Sequence, residues 1–259
     1  MGVADDGENS WENRKAATAE MIRQIRPDIM GLQEAFGFQA DYIREECPEY
    51  DGVAVGRDDG ADAGERMMIF YRTETVEMLD WGTFWLSETP EVPSFGWDAA
   101  CRRTATWALL RTKESGRKFY YVNTHLDHRG RAAEKNGLNL IVNRIGSINP
   151  EGFPMVLTGD FNVLPEDSVL DELDNVMHSA RATAEVTDST ASFNAFGQPL
   201  KNAAVGDQFI DLATTDGLIL DYIYYSGFSG CLSFRTVTES FAGVPYISDH
   251  YPVTAVLKF

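Results

Sequence analysis

Apolar residues recur along this chain with two periods, helical and extended, and their alternation predicts an α/β protein. Ser10 can cap a helix from Trp11 to Arg26, with Ala17, Ile22 and Ile25 among its inward positions and Pro27 behind its end. Asp28-Ile29-Met30-Gly31-Leu32-Gln33 then reads as a short buried strand that delivers Glu34 to its carboxyl end. Phe38 to Glu46 follows as a second short helix, and Gly52 to Gly64 as an acidic, glycine-rich surface loop. Glu65 to Arg72 and Val76 to Trp81, both apolar and aromatic, predict the two strands of a hairpin. Trp85 to Trp97, with Pro90, Pro93 and Gly96, is a long ordered loop that either walls a pocket or covers a sheet edge.

Arg102 and Arg103 precede a strand from Thr104 to Leu110, and Phe119 to Asn123 forms the next one, running into Thr124-His125-Leu126-Asp127-His128. A helix from about Arg131 to Ile148 sets Leu138, Ile141, Ile145 and Ile148 on one face. Pro154-Met155-Val156-Leu157 is a buried strand, after which Gly159 lets the backbone turn and Asp160 and Asn162 point the same way. Ser168 to Asp174 is a short helix, and the polar stretch from His178 to Asp216 carries few strand signals. Leu218 to Tyr224 is strongly β-prone and contains Asp221; an unpartnered buried carboxylate costs several kcal/mol, so Asp221 requires a partner. Cys231 to Val237 and Tyr251 to Phe259 are the last strands, the second entered through Ser248-Asp249-His250. With no internal repeat, low-complexity tract or linker, the expectation is one domain over 1–259.

Charge narrows the partners. Forty acidic against 22 basic residues give a formal net charge of −18, which argues against a broad basic face for nucleic acid but not against an enzyme that meets phosphate through a cation. The three cysteines, Cys47, Cys101 and Cys231, are odd in number and widely spaced, and read as core thiols rather than a disulfide framework or zinc site. No run has the length of a transmembrane helix and no signal peptide opens the chain. The expectation is a soluble monomer, cytoplasmic, or exported if a signal peptide precedes the present start.

Predicted strand ends carry Glu34, His125, Asp160, Asn162, Asp249 and His250, and Asp221 lies within a strand, which is more carboxylate, amide and imidazole than a structural sheet needs. Asp160 and Asn162 suit hydrolytic chemistry, in which the carboxylate orients or deprotonates a water while the amide donates to an oxyanion. Alone, the pair is as consistent with an Asx turn closing a strand, and Glu34 with the start of a solvated loop.

Taken in order, Leu32-Gln33-Glu34, Gly64-Glu65-Arg66, Asn123-Thr124-His125-Leu126, Gly159-Asp160-Phe161-Asn162, Asp221-Tyr222-Ile223 and Ser248-Asp249-His250 resemble the endonuclease/exonuclease/phosphatase superfamily. Each motif alone is weak; six in the family's order, spread over nearly the whole chain, are specific. The resemblance implies an α/β (α+β) fold like that of deoxyribonuclease I, a four-layer sandwich of two mainly antiparallel sheets flanked by helices, with the site at one rim. It implies hydrolysis of a phosphate ester with Mg2+ or Mn2+, the substrate being a nucleic acid, a nucleotide, an inositol phosphate or a phospholipid head group. Carried over by residue, Glu34 is the principal metal ligand and Asp249 a further ligand or orienting group. Asp160 would activate water, Asn162 would hold phosphate, and His250 and His125 would donate to the phosphoryl and leaving-group oxygens. Arg103 resembles a phosphate-contacting arginine of some members, with surface charge as the plain alternative, and His128 is placed with it in substrate binding. Matching positions pair Asp221 with His250 and Glu65 with His125, a carboxylate that would fix the tautomer and raise the imidazole pKa.

One departure stands against the family pattern. Members begin with a strand carrying a metal-site asparagine ahead of the loop that here reads Ala4 to Trp11, so that strand is expected to be absent, with Gly2-Val3 pairing in part of the gap. The alternative reading is therefore a catalytically silent binding domain that kept the fold.

Overall fold

The computed structural model describes residues 6–198, 203–205, 208–210 and 217–259. Helix α1 (Trp11–Ile25) leads into β1 (Ile29–Ala35), α2 (Gly37–Glu46), β2 (Tyr50–Val53), β3 (Arg66–Arg72) and β4 (Val76–Trp85). Next come β5 (Thr104–Thr112), β6 (Lys118–His125), α3 (Arg131–Ile148), β7 (Met155–Asp160) and α4 (Asp171–Asp174). The chain then gives β8 (His178–Ser179), α5 (Ala180–Thr183), β9 (Ala203–Val205), β10 (Gln208–Ile210), β11 (Asp221–Ser226), β12 (Gly230–Thr236) and β13 (Val253–Lys258).

Four layers result. A six-stranded sheet runs β4-β5-β6-β7-β11-β8, and it faces a second layer made of β1-β3-β2 and the pair β12-β13. Only β6 and β7 run parallel in the large sheet, because α3 provides the crossover that a parallel connection needs. Alternation along strands decides which residues enter which layer. In β6, Phe119 and Tyr121 face the inter-sheet core with Ile69, Phe234 and Leu257, while Tyr120 and Val122 face outward to Leu138 and Ile141 of α3. In β3, Ile69 and Tyr71 face inward while Met68 and Phe70 pack outward on Ile22 of α1 and Ile43 of α2.

The expected hairpin does not form. β3 has β1 on one edge and β2 on the other, while β4 pairs with β5 from Val76↔Thr112 to Trp85↔Thr104. The turn between them, closed by Thr75 N–H on the Arg72 carbonyl (3.1 Å), carries the chain from one sheet to the other. β3 is buried on both faces, as a central strand is, and two adjacent apolar runs do not say whether they pair with each other or with distant partners. Smaller differences follow. β2 occupies the start of the expected loop, α4 is shorter than its prediction, and the polar stretch after His178 holds β8, β9 and β10. Ser10 sits at the N-cap of α1 without a side-chain bond, its carbonyl instead accepting from Asn13 and Arg14 N–H. Cys47 and Cys231 are buried thiols, whereas Cys101 is partly exposed. Among the described residues β1 pairs only with β3, and Gly2-Val3 lies outside them. No helix among the described residues is long and apolar enough to cross a membrane.

Candidate active site

Sheet register assembles the first half of the site. At the carboxyl end of β7, Asp160 is in register with His125 of parallel β6 on one side and with Asp221 of antiparallel β11 on the other. Three chemically active residues from distant parts of the sequence thus stand in one row. Asp160 Oδ2 lies 3.5 Å from His125 Nε2 and 3.8 Å from His250 Nε2. His250 arrives from the loop before β13, and its Nδ1 donates to Asp221 Oδ2 at 2.7 Å, which gives the buried carboxylate the partner it requires. The rings of Phe193 and His250 meet in a T-shaped arrangement with centroids 5.0 Å apart.

Burial and charge set the two histidines in opposite states. Burial alone would lower His250, but Asp221 and Asp160 outweigh it and raise the group to about 10. His125 is held well below the ordinary histidine value, by burial first and then by Arg103 and His250 nearby. At neutral pH His250 is an imidazolium and His125 a neutral ring. Burial also raises the Asp160 carboxyl above its usual range, His250 opposing and Asp221 adding to the effect.

The second half rests on irregular backbone. Between Leu32↔Met68 and Ala35↔Arg66 the β1–β3 register slips, so Gln33 and Glu34 together oppose one residue of β3. Glu34 takes the left-handed conformation (φ 55°), a strain on the order of 1 kcal/mol or more for a residue with a side chain. The bulge turns Glu34 into a cleft whose other walls are Gln33, His125, Asp160, Asp221, Ser248, Asp249 and His250. Ser248 Oγ donates to Asp249 Oδ1 at 3.1 Å and accepts from His250 N–H at 3.2 Å, so one hydroxyl ties Asp249 to His250.

Acidic groups exceed basic ones at this end. Asp6 feels both Asp249 and Glu34, which together with its burial raise its carboxyl against the pull of Arg14. Arg14 is only 2% exposed and donates Nη1 to the Ile247 carbonyl at 2.6 Å. Glu65 is likewise raised by burial, with Arg57 opposing and Glu34 adding. Among the described residues, Arg14 acts on Asp6, Glu34 and Asp249, and Arg57 and Arg103 on Glu65. A surplus of hard carboxylate oxygens fits Mg2+ or Mn2+. A carboxylate oxygen of Glu34, one of Glu65 and a ring nitrogen of His125 also lie within 4.8 Å of one another.

Several expected contacts are differently placed. Glu65 ion-pairs with Arg57 at 2.5 Å rather than bonding His125, whose Nδ1 is buried without a hydrogen-bond partner. The raised pKa expected for His125 is correspondingly reversed, because burial dominates where the carboxylate bond is missing. Asn162 adopts φ 52°; its N–H donates to Asp160 Oδ1 (2.9 Å) and its amide to the Leu126 carbonyl (3.1 Å). The turn reading of Asp160-x-Asn162 is met, and the turn fixes the Asp160 carboxylate. Arg103 is not a surface charge but only 5% exposed, with Nη2 on His128 Nδ1 at 3.0 Å and Nε 3.6 Å from Asp127 Oδ2. Burial and Arg103 lower His128 from its ordinary value, consistent with its Nδ1 accepting from the guanidinium. Asn162, Arg103 and His128 stand outside the cleft lining.

Sequence reasoning passed over Gln33 and Ser248 in the lining, and Asp127 and Asn123 behind it. Asp127 accepts Ala100 and Cys101 N–H on Oδ2 and Arg129 and Gly130 N–H on Oδ1, fastening the long loop to the start of α3. A polar residue in an apolar strand needs partners, and this holds for Asn123 as much as for Asp221.

A family model described as the endonuclease/exonuclease/phosphatase family matches residues 5–250. The structure is similar to that of a mannosyl-6-phosphatase from Bacteroides thetaiotaomicron, with 31% identity, TM-score 0.88, and coverage of 100% of this chain and 96% of that one. It is similar also to an endonuclease/exonuclease/phosphatase from Bacteroides vulgatus, with 36% identity, TM-score 0.87, and coverage of 100% and 95%. An uncharacterized protein of Acanthamoeba polyphaga mimivirus is 28% identical over 260 residues, which are 96% of this chain and 92% of that one.

Proposed function

We propose, for a chain that belongs to the endonuclease/exonuclease/phosphatase family and is in general terms a phosphoester hydrolase, that it depends on a divalent cation and cleaves a small phosphorylated sugar rather than a polynucleotide. The observation that carries this reading is Asp160 set between the imidazoles of His125 and His250, with Glu34 and Asp249 in the same cleft. We read the whole of 1–259 as the unit that supports it.

Glu34 and Asp249 would hold Mg2+ or Mn2+, which when bound offsets the negative charge of the phosphoryl group. Asp160 accepts a proton from the attacking water as its oxygen bonds to phosphorus and the ester P–O bond breaks, the leaving alkoxide taking a proton from solvent to depart as the alcohol. A carboxyl raised toward neutrality suits this work, since a base is most effective when its pKa lies near the working pH. Asn162 holds Asp160 Oδ1 through its backbone N–H, so the other oxygen stays turned to the cleft. His250, charged and braced by Asp221, offers Nε2–H to a phosphoryl oxygen. His125, neutral, keeps its proton on Nε2 beside Asp160 and offers that N–H to the substrate. The amide N–H of Asn162 not used by Leu126 is available to phosphate, and Arg103 with His128 would meet the more distant part of the substrate.

Two observations support a small substrate. The net charge of −18 offers no polynucleotide track, and a relative covering nearly the whole chain is named for a phosphorylated sugar. The test is release of phosphate or alcohol from sugar phosphates, nucleotides, bis-p-nitrophenyl phosphate and an oligonucleotide, with Mg2+, with Mn2+ and with chelator. Metal-dependent release that favours the sugar phosphates is the expected result. Preference for the oligonucleotide would overturn the substrate reading, and silence on every compound would leave the binding-domain alternative.

A further inference from the structure

Asn123 is a fully buried amide on β6, in the seam between the two sheets. Its Nδ2 donates to the Leu32 carbonyl of β1 at 3.0 Å and to the Met68 carbonyl of β3 at 2.9 Å. Its Oδ1 accepts from Gln33 Nε2 at 2.7 Å and from Thr158 Oγ1 of β7 at 3.2 Å. Both amide hydrogens and both lone pairs are thus engaged, the whole capacity of a carboxamide.

The partners share a location. Leu32 and Met68 are the last pair before the β1–β3 register slips, and Gln33 is the first residue of the bulge that carries Glu34. Space for the amide comes from Gly31: a Cβ there would stand 2.6 Å from Asn123 Oδ1 and 2.7 Å from Thr158 Oγ1. An apolar side chain would fill the seam with no need of four polar partners, whereas a carboxamide must have them or pay desolvation. What the amide adds is directionality across the bulge.

We propose that Asn123, acting with Gln33, is a positioning residue for Glu34: it clamps the bulge so that Glu34 keeps its left-handed backbone and its carboxylate stays in the cleft. A non-glycine residue holds such a conformation only when its surroundings over-determine it. Strand side chains alternate faces, so a bulge that relaxed by one residue would turn position 34 away from Asp160 and Asp249. The inference rests on the reading of Glu34 as a cation ligand.

The test is calorimetric titration of Mg2+ into wild type, Asn123→Leu, Gln33→Leu and Thr158→Val, with melting temperatures and phosphate release on the same samples. Both clamp variants are expected to weaken Mg2+ binding by roughly tenfold or more, the usual scale for removing support behind a ligand. Thr158→Val removes a bond to the same Asn123 oxygen on the side away from the bulge. It is expected to lower the melting temperature with Mg2+ affinity changed by no more than about twofold, well short of the range for losing such support. Gln33 lines the cleft rather than the core, so its variant decides the question even if Asn123→Leu does not fold. Wild-type affinity in Gln33→Leu, or an equal loss in Thr158→Val, would overturn the clamp. Metal-independent hydrolysis by wild type would instead overturn the functional reading, and the titration would still report on the clamp by itself.

Discussion

The two ends of the cleft handle buried charge in opposite ways. At one end Asp160 and Asp221 are balanced from within the chain by His250, and the geometry is set by the register of three regular strands. At the other, Asp6, Glu34, Glu65 and Asp249 lie near Arg14, Arg57 and Arg103, and the geometry depends on a bulge, a left-handed glutamate and a loop. The first end pairs its carboxylates with an imidazole of the same chain, although Asp160, Asp221 and His250 also bring ligand atoms within 4.8 Å of one another. The second keeps a surplus of oxygen ligands, which on the proposed reading a cation would complete. On the proposed reading, proton transfer and charge neutralisation would be separated in space.

This division is most exposed at Asp160. Asp160→Asn keeps the shape and removes the basicity, so turnover should fall by on the order of a hundredfold or more, the scale of losing a general base. Because the amide no longer buries a charge, the melting temperature should hold or rise. A variant with wild-type turnover would make the histidine end structural.

Next in size is Glu34→Gln at the other end. Metal affinity should drop by roughly ten- to a hundredfold while turnover at saturating metal recovers much of its wild-type value. If activity is lost but metal titration is unchanged, the two ends are not divided in this way. Asp221→Asn then probes the link between the carboxylate and His250. Asp221 is the strongest of the influences that raise His250 to about 10, and the imidazolium is lost as pH rises through that value. Without Asp221 the alkaline limb of the pH–rate profile should move down by roughly one to three pH units, the range for removing an adjacent opposite charge. An unmoved limb would assign it to another group.

The smallest effect is expected at Glu65. Its folded pKa is raised by burial above the unfolded value of about 4.3, so it costs stability above that pH and nothing well below it. Glu65→Gln should therefore melt slightly higher at pH 8, by no more than about 1 kcal/mol, with the gain vanishing as pH falls below the unfolded value. Turnover should change only a few-fold, since Glu65 contacts Arg57 and not His125. A collapse of turnover would restore the Glu65–His125 pairing as functional.

Local pattern carried a good part of this molecule. The helix at Arg131–Ile148 has the bounds its periodicity implies, and the strands around Asn123, Leu157 and Tyr222 lie where apolar runs place them. That Asp221 needs a partner was legible as well, because a carboxylate inside an apolar strand must have one, and the family resemblance named His250 for it. The hairpin of β3 with β4 was misread: both runs are apolar, and nothing local distinguishes pairing with a neighbour from pairing with β1, β2 or β5. Ser10 offered a capping side chain that the backbone did not use.

By itself the sequence determined which residues are available: strands by apolar runs, strand ends by polar residues after them, and an acidic balance that leaves no broad basic face. Those properties belong to single residues and their near neighbours, and burial periodicity expresses them directly. Tertiary structure alone decided the protonation states and the aim of each group. His125 is held well below the ordinary histidine value by burial first and then Arg103, its Nδ1 lacking the Glu65 bond because Glu65 turns to Arg57. Glu34 reaches the cleft because β1 slips against β3 over Asn123. Desolvation and register are sums over residues far apart in the chain, and they take their values only when the sheets are packed.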